Sequence, residues 1–161
     1  MFVSVDLFLF FVFYEIAVLP MYLLIGIWGS SGEVRPQGIF GWAFGRTGVG
    51  TKEYAAMKLT LYLLFGSAFI LVGILALYAE GGHTFNFLAL QQMKFDPTVQ
   101  KWVFLAFYIG FGILAGIWPL HTWSPDGHAS APTAVSMLHA GVLMKLGAYG
   151  VVRLGMGLLP D

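Results

Sequence analysis

The chain contains no cysteine, and only 10% of its 161 residues are charged. Without cysteine it has neither disulfide bonds nor thiolate ligands for a metal. A soluble domain carries about 25% charged residues, because it must keep its surface hydrated. The eight basic and eight acidic residues cancel to a net charge of +0, so the composition gives no sign of nucleic-acid binding. The rest of the chain is 58% hydrophobic, which is typical of a membrane protein.

Four long apolar segments are predicted to cross the lipid bilayer as helices. The hydrocarbon core of a bilayer requires about 20 apolar residues in helical conformation. No segment alternates apolar and polar residues over about ten positions, as the strands of a membrane barrel do. The predicted class is therefore an all-α polytopic membrane bundle, with helices at about 7–28, 54–78, 97–118 and 134–158.

The segment between the third and fourth helices is rich in proline. It contains Pro119, Pro125 and Pro132, with His121 and His128 between them. Irregular backbone at membrane depth is tolerated only where protein or a water-filled cavity covers it. The segment is therefore either a hydrated break inside the bundle or an ordinary loop in solvent, and the sequence leaves both open.

Glu15 lies in the middle of the first apolar segment. An ionisable group at this depth costs about 2.5–3.5 kcal/mol, so it indicates a proton or ion path by default. Its own helical face offers only Tyr22 as a polar neighbour. Pro20, like Pro119, Pro125 and Pro132, is a predicted helix break: it lacks an N–H and leaves the carbonyl of Ile16 unbonded, which creates a place for water. We expect Glu15 to take up and release a proton; the alternative is a structural glutamate paired with a cation on a neighbouring helix.

Lys145 is the corresponding cation in the last apolar segment. Gly141 and Ala148 flank it on the same face, and such small residues allow another helix or a file of water to come close. Lys145 lies more than two turns from either helix end, too deep to reach the interface. Lys58 and Arg153 lie nearer the ends of their helices, where extension of the side chain to the interface is expected.

Histidines extend the set of candidate relay residues. His139 precedes Lys145 by six residues, which places it roughly 120° around a regular helix. It is predicted to be either a hydrogen-bonded core histidine or a proton relay. His121, His128 and Lys58 are the remaining candidate relay residues, whereas Asp126 is expected either to cap the break or to be solvated.

Basic residues in the connections bear on orientation. The first connection carries Arg35, Arg46 and Lys52, with Lys58 at its edge. The second carries Lys94 and Lys101, and the third carries neither arginine nor lysine. The positive-inside rule then places the first and third connections on the cytoplasmic side.

Two long segments resemble one known family. They are FFVFYEIAVLPMYLLIGIWG, around Glu15, and PLHTWSPDGHASAPTAVSMLHAGVLMKLGAYGVVR, around Lys145. They resemble the antiporter-like membrane subunits of proton-pumping NADH:quinone oxidoreductase (respiratory complex I), most closely the M type. The cation/proton antiporter complexes and the membrane-bound hydrogenases share the pattern. Family members have many more helices than four, and the final Pro160-Asp161 resembles a cut in a longer chain, so a fragment is expected.

The resemblance implies roles for individual residues. Glu15 matches the essential mid-membrane glutamate of the family, and Lys145 matches the central lysine that passes protons along a hydrated axis. The family usually places a further lysine, the partner of the glutamate, where this chain has Leu114. Either another group pairs with Glu15 or this member couples differently. Lys145 and then Lys58 are the candidate substitutes.

The function implied by the resemblance is proton translocation driven by a redox reaction that other subunits perform. The chain itself is then expected to hold no redox centre and no cofactor. Its partners are expected to be other membrane subunits and the lipid of a bacterial inner membrane. The alternatives are a subunit of a cation/proton antiporter or membrane-bound hydrogenase, or a structural membrane subunit that does not pump.

Overall fold

The computed structural model describes residues 3–31 and 51–159, and these residues form helices without a β-strand. Four of the helices are long and apolar enough to cross a membrane, as the sequence predicts. Two short helices lie in the connections between them. The helices are α1 (Leu7–Trp28), α2 (Lys52–Glu80), α3 (Phe87–Gln91), α4 (Pro97–Ala115), α5 (Trp123–Ser130) and α6 (Thr133–Met156).

Side chains cap three of the long helices where they begin. The carboxylate of Asp6 accepts a hydrogen bond from the backbone N–H of Leu9 at 2.8 Å, and that of Asp96 accepts one from Thr98 at 3.2 Å. The hydroxyl oxygen of Thr51 accepts one from the N–H of Tyr54 at 3.2 Å. These bonds satisfy N–H groups that have no partner within a helix. The predicted start of the third helix, with Pro97 in its first turn, agrees with the structure.

The third long helix ends earlier than predicted. The α4 helix ends at Ala115, because Gly116 adopts a left-handed conformation with φ of 73°. This conformation suits glycine and ends many helices. The Gly116 N–H donates to the carbonyl oxygens of Gly112 and Ile113. The chain therefore leaves the helix before Trp118, the last residue of the predicted span.

Prolines interrupt the helices less than predicted. Pro20 lies inside α1, which continues to Trp28, so it is not a helix break. A proline removes one backbone hydrogen bond, and neighbouring groups in membrane helices commonly compensate. Pro125 lies in the first turn of α5, where its missing N–H costs little. Among the prolines of residues 3–31 and 51–159, Pro119 and Pro132 lie outside helices, one on each side of α5.

Glycines bring the long helices together. We call Gly66, Gly73, Gly110, Gly147 and Gly150 the glycine seam. A Cβ on Gly110 would lie 2.6 Å from the carbonyl oxygen of Gly66, so α2 and α4 touch through their backbones. A Cβ on Gly147 would overlap the backbone of Ala115, which shows the same close approach between α4 and α6. Small residues at helix contacts are the usual means of packing in membranes.

The fourth long helix is irregular. The turns at His139–Leu143 and Val151–Met156 are π-helical, and a regular α-helical segment, Met144–Gly150, lies between them. A π-helical turn contains more residues than an α-helical turn and changes which side chains share a face. The regular helix assumed from the sequence is therefore wrong for α6. Lys145 lies on the regular segment between the two π-helical turns.

Candidate functional site

Glu15 faces a groove between α1 and α2. The groove has a volume of about 340 Å³ and is lined by Glu15, Val18, Leu19, Tyr22, Thr60 and Leu64. The Oε1 atom of Glu15 is buried and has no hydrogen-bond partner among the described residues. Tyr22 lies in the same groove, as its position on the helix suggests. Thr60 comes from α2 and was not found by sequence reasoning, because no pattern in one helix shows which face of another it meets.

Lys145 lies in an exposed environment, in contrast to the buried carboxylate oxygen of Glu15. Its side chain is exposed in the described chain, as are its small neighbours Gly141 and Ala148. A Cβ added to Gly141 would meet no other atom within 4 Å. Within residues 3–31 and 51–159, Lys145 forms no ion pair. The small residues thus leave open space beside the ammonium group, and none of the described helices occupies it.

His139 is enclosed by aromatic rings at the start of the first π-helical turn. Its side chain is 0% exposed, and neither ring nitrogen has a hydrogen-bond partner in the described part of the chain. The indole of Trp123 stacks on one side, with ring centroids 5.2 Å apart, and the imidazole of His128 stacks on it at 4.6 Å. We call Trp123, His139 and His128 the histidine stack. The hydrogen-bonded core histidine expected as one alternative is wrong for His139.

The histidine stack is held by polar contacts at its edges. The Nε1–H of Trp123 donates to the carbonyl oxygen of Ile113 at 2.9 Å. The Nδ1 atom of His128 lies 2.7 Å from the hydroxyl of Ser136. Gly127 lies beside the stack, and a Cβ there would make an ordinary contact with the ring of His139 at 3.6 Å. His121 lies outside the stack, with a buried Nδ1 atom that has no partner among the described residues.

Lys58 pairs with a charge on another helix, a contact that its predicted extension to the interface did not include. Its Nζ atom lies 2.6 Å from Oδ2 of Asp126, so the two side chains form an ion pair between α2 and α5. Asp126 is therefore neither a cap nor simply solvated, the two alternatives drawn from the sequence. The guanidinium of Arg153 lies over the ring of Phe87, 4.7 Å from its centroid, a contact that the sequence did not indicate. One helix pattern cannot show the partner of a charge on another, so both contacts were missed.

The break between α4 and α6 is more ordered than either alternative drawn from the sequence. Its central part is the helix α5, which packs mainly against α2. The backbone N–H of Ser30, after the end of α1, donates to the carbonyl oxygen of Ser130 at 2.8 Å. The break thus brings His128 and Asp126 onto one short rigid element. The orientation argument rests partly on Arg35 and Arg46, which lie outside the described residues.

The position at which the family usually has a lysine is fully buried in this chain. Leu114 is 0% exposed and belongs to the main apolar core. Lys58 is engaged with Asp126, so the structure does not bring it to Glu15 as a substitute cation. In the described chain, no ion pair compensates Glu15.

Comparison with known proteins agrees with this arrangement of helices. Residues 45–159 match the family described as NADH:quinone oxidoreductase/Mrp antiporter, transmembrane. The chain belongs to this family. It is 43% identical over 162 residues to NAD(P)H-quinone oxidoreductase chain 4 3 of Picosynechococcus, covering 99% of this chain and 26% of that protein. It is 40% identical over 157 residues to NAD(P)H-quinone oxidoreductase chain 4 of Gloeobacter violaceus, covering 97% of this chain and 26% of that protein.

A solved structure shows the same fold. A chain of respiratory complex I from Thermus thermophilus with bound NADH superposes with a TM-score of 0.79 at 27% identity, and the match covers 98% of this chain and 30% of that one. The chain is thus an integral membrane protein of a family found in membrane complexes, and it spans about a quarter of the length of the relatives it matches. Among the described residues, no group of three or more histidine, cysteine or acidic side chains is placed to hold a metal ion.

Proposed function

We propose that the chain is part of a proton-translocating membrane subunit of an NAD(P)H:quinone oxidoreductase. The observation that carries the proposal is the state of Glu15: a carboxylate oxygen buried in a groove at mid-membrane depth, without a hydrogen-bond partner in the described chain. A group held there at a cost of about 2.5–3.5 kcal/mol is retained for a function more often than for stability. Family membership supports proton transport as that function.

In the proposed mechanism, Glu15 and Lys145 exchange charge through water. Two unit charges 4 Å apart interact by about 4 kcal/mol at an effective dielectric constant of 20. This energy changes a protonation constant by roughly three powers of ten. Protonation of Glu15 would therefore favour the release of a proton from a lysine in the same hydrated space. Deprotonation of Glu15 would favour its retention. Since the interaction falls with distance, the effect requires water or further helices that connect the groove of Glu15 with the open face of Lys145.

The remaining parts of the proposal concern partners and cofactors. Further helices of the kind that the longer relatives contain would cover Lys145 and shield it from lipid. His121 and His128 within the break, and His139 beside it, are candidate entry or exit groups for the proton. Quinone reduction would belong to other subunits, and this chain would bind no redox cofactor.

The experiment is to measure protons moved per electron in membrane vesicles that carry the complete complex with Glu15→Gln or Lys145→Ala. The rate of quinone reduction is recorded separately. We expect proton movement to fall about tenfold or more, since a positioned proton-transfer group contributes roughly 10²-fold. Glu53→Gln is the matched control, because Glu53 is exposed in the first turn of α2. Normal stoichiometry in both variants would end the proposal.

The structural alternative is tested on the same variants. It holds that the buried charges only keep helices together, so both substitutions would reduce assembly before transport. Native gel electrophoresis of the solubilised membranes measures this directly. Ion pairing of the kind seen between Lys58 and Asp126 is what a structural role requires, and in the described chain neither Glu15 nor Lys145 shows it.

A second candidate follows from the family description, which includes Mrp antiporters. The chain would then belong to a cation/proton antiporter, and the groove of Glu15 would take part in exchanging sodium for protons. Sodium-dependent proton flux in vesicles without an electron donor would support it. Proton flux that requires the electron donor and does not depend on sodium would support the oxidoreductase.

A further inference from the structure

The short helix α5 carries two features that sequence reasoning did not connect. Asp126 lies in its first turn and pairs with Lys58 of α2, at 2.6 Å between Nζ and Oδ2. His128 follows two residues later and covers the ring of His139 on α6. Because both side chains lie on one short helix, the attachment of Asp126 to α2 contributes to the position of His128 on His139, together with the hydrogen bonds of Trp123 to Ile113 and of His128 to Ser136.

The contact between His128 and His139 controls access to a buried polar group. His139 is 0% exposed, and both of its ring nitrogens lack a partner among the described residues. Trp123, the first residue of α5, stacks on the ring, and its indole donates a hydrogen bond to the carbonyl oxygen of Ile113 on α4. His128, further along α5, also stacks on the ring, and its Nδ1 atom lies 2.7 Å from the hydroxyl of Ser136 on α6. A small shift of α5 would therefore admit water to the ring nitrogens of His139.

The ion pair is the part of the α5 attachment that depends on charge. A neutral contact lies nearby between Tyr62 of α2 and Thr122, the residue before α5, with their hydroxyl oxygens 3.0 Å apart. Lys58 is the more buried partner of the ion pair, with 19% of its side chain exposed against 40% for Asp126. The carboxylate also lies in the first turn of α5, where the helix dipole favours negative charge. Neutralising either partner removes this attraction without removing the indole anchor.

We propose that Lys58 and Asp126 are positioning residues whose ion pair holds His128 against His139 and keeps water from the buried imidazole. Neither side chain transfers the proton in this proposal, which replaces the relay role predicted for Lys58. The consequence for transport rests on the proposed function, since water at His139 matters to it only if protons pass beside the break.

The test is the exchange of the C2 hydrogen of each histidine for deuterium, measured by mass spectrometry on the complete complex in native membranes. The variants are Lys58→Met, Asp126→Asn and the double variant. We expect exchange at His139 to rise about two- to fivefold in each single variant, the range that partly exposed ion pairs contribute. The double variant should show the same rise, because residues that act through one another are not additive. His83 is exposed and serves as the internal reference.

Two further variants separate positioning from general damage. Lys52→Met is the matched control: Lys52 lies at the start of α2, and its ammonium donates to the carbonyl oxygen of Ile27 instead of contacting α5. It should leave exchange at His139 unchanged. Lys58→Arg keeps the charge and should preserve both the slow exchange and the protons moved per electron, whereas Lys58→Met should lower that ratio without slowing quinone reduction.

Unchanged exchange at His139 in both neutral variants would overturn the proposal, as would a double variant whose effect is the product of the singles. If the neutral variants do not accumulate, Lys58→Arg decides: faster exchange in that variant contradicts the proposal, and wild-type exchange supports it. The proposed function fails separately. Normal pumping in Glu15→Gln would end that function while leaving the response of His139 to Lys58 intact.

Discussion

The glycine seam and the histidine stack are both tightly packed, but they differ in whether buried polar atoms lack hydrogen-bond partners. In the seam, glycines of α2, α4 and α6 let backbones and rings touch, and an added Cβ at Gly73 would lie 2.6 Å from the ring of Phe107. In the stack, rings also touch, but the two ring nitrogens of His139 are buried without partners among the described residues. One region is apolar and closely packed, and the other retains polar groups at the expense of stability.

The difference shows how a small bundle can keep polar groups inside it. A buried polar atom without a partner costs about 1–3 kcal/mol, so it persists only where the surrounding structure is firmly held. The seam supplies that stability through α4, which contacts both α2 and α6. Trp123 links the two regions, because its indole donates to Ile113 on α4 while its ring stacks on His139.

The largest expected effect comes from placing a charge in the apolar region. Leu114→Lys restores the residue that the family usually has, but Leu114 is 0% exposed in the core. An uncompensated buried charge costs about 3–5 kcal/mol, which we expect as lost free energy of unfolding in detergent micelles. Leu114→Met is the control, since it keeps the volume. Equal stability of the two variants would mean that a carboxylate or water reaches this position.

A smaller loss is expected from Gly147→Ala in the glycine seam. The new Cβ overlaps the backbone of Ala115, and overpacking of this kind costs about 1–3 kcal/mol. Gly141→Ala on the same helix is the matched control, because nothing lies within 4 Å of its Cβ. Thermal unfolding of the two variants measures the difference. Equal melting temperatures would show that α6 does not approach α4 as closely as described.

A substitution in the histidine stack is expected to raise the free energy of unfolding, whereas those in the apolar region lower it. His139→Leu replaces a ring with two unpartnered nitrogens by an apolar side chain, so the free energy of unfolding should rise by about 1 kcal/mol. The same variant should impair proton movement if His139 takes part in it. His83→Leu, at an exposed position, should leave stability unchanged. A loss of stability in His139→Leu would mean that water or another group satisfies the ring nitrogens.

The smallest expected effect is that of Asp126→Asn. The ion pair with Lys58 is partly exposed, and pairs of this kind contribute about 0.2–1 kcal/mol to stability. A denaturant titration should therefore show a small loss, even where access to His139 changes several-fold. Glu53→Gln, an exposed substitution on α2, provides the baseline. A loss of several kcal/mol would identify Asp126 as a structural anchor instead of a positioning residue.

The helices were predictable from sequence because their signals are local. Apolar length sets each span, and Asp96 followed by Pro97 fixes the start of α4. Contacts between helices were not predictable, since the periodicity of α2 does not show that Lys58 faces Asp126. The π-helical turns of α6 were missed for a related reason. They depend on tertiary packing, and no residue type in His139–Leu143 requires them.

The candidate site was predicted in part. The sequence placed Glu15 at mid-membrane depth. The structure adds the groove that Glu15 lines, the neighbour Thr60, and the absence of a hydrogen-bond partner for Oε1 among the described residues. The roles of Glu15 and Lys145 stay predictions. The pairing of Lys58 with Glu15 was wrong, because the first turns of α2 lie beside α5. Trp123 had a signal in the sequence that was not used: a large aromatic residue between two histidines in a proline-flanked segment.

The most direct measurement is infrared difference spectroscopy of the complete complex during turnover. If Glu15 takes up and releases a proton, its carboxyl C=O stretching band changes when quinone reduction begins. That band should shift in Glu15→Asp and vanish in Glu15→Gln, while Glu53→Gln leaves it in place. A spectrum in which Glu15→Gln removes no turnover-dependent carboxyl band, with proton movement intact, would contradict the account.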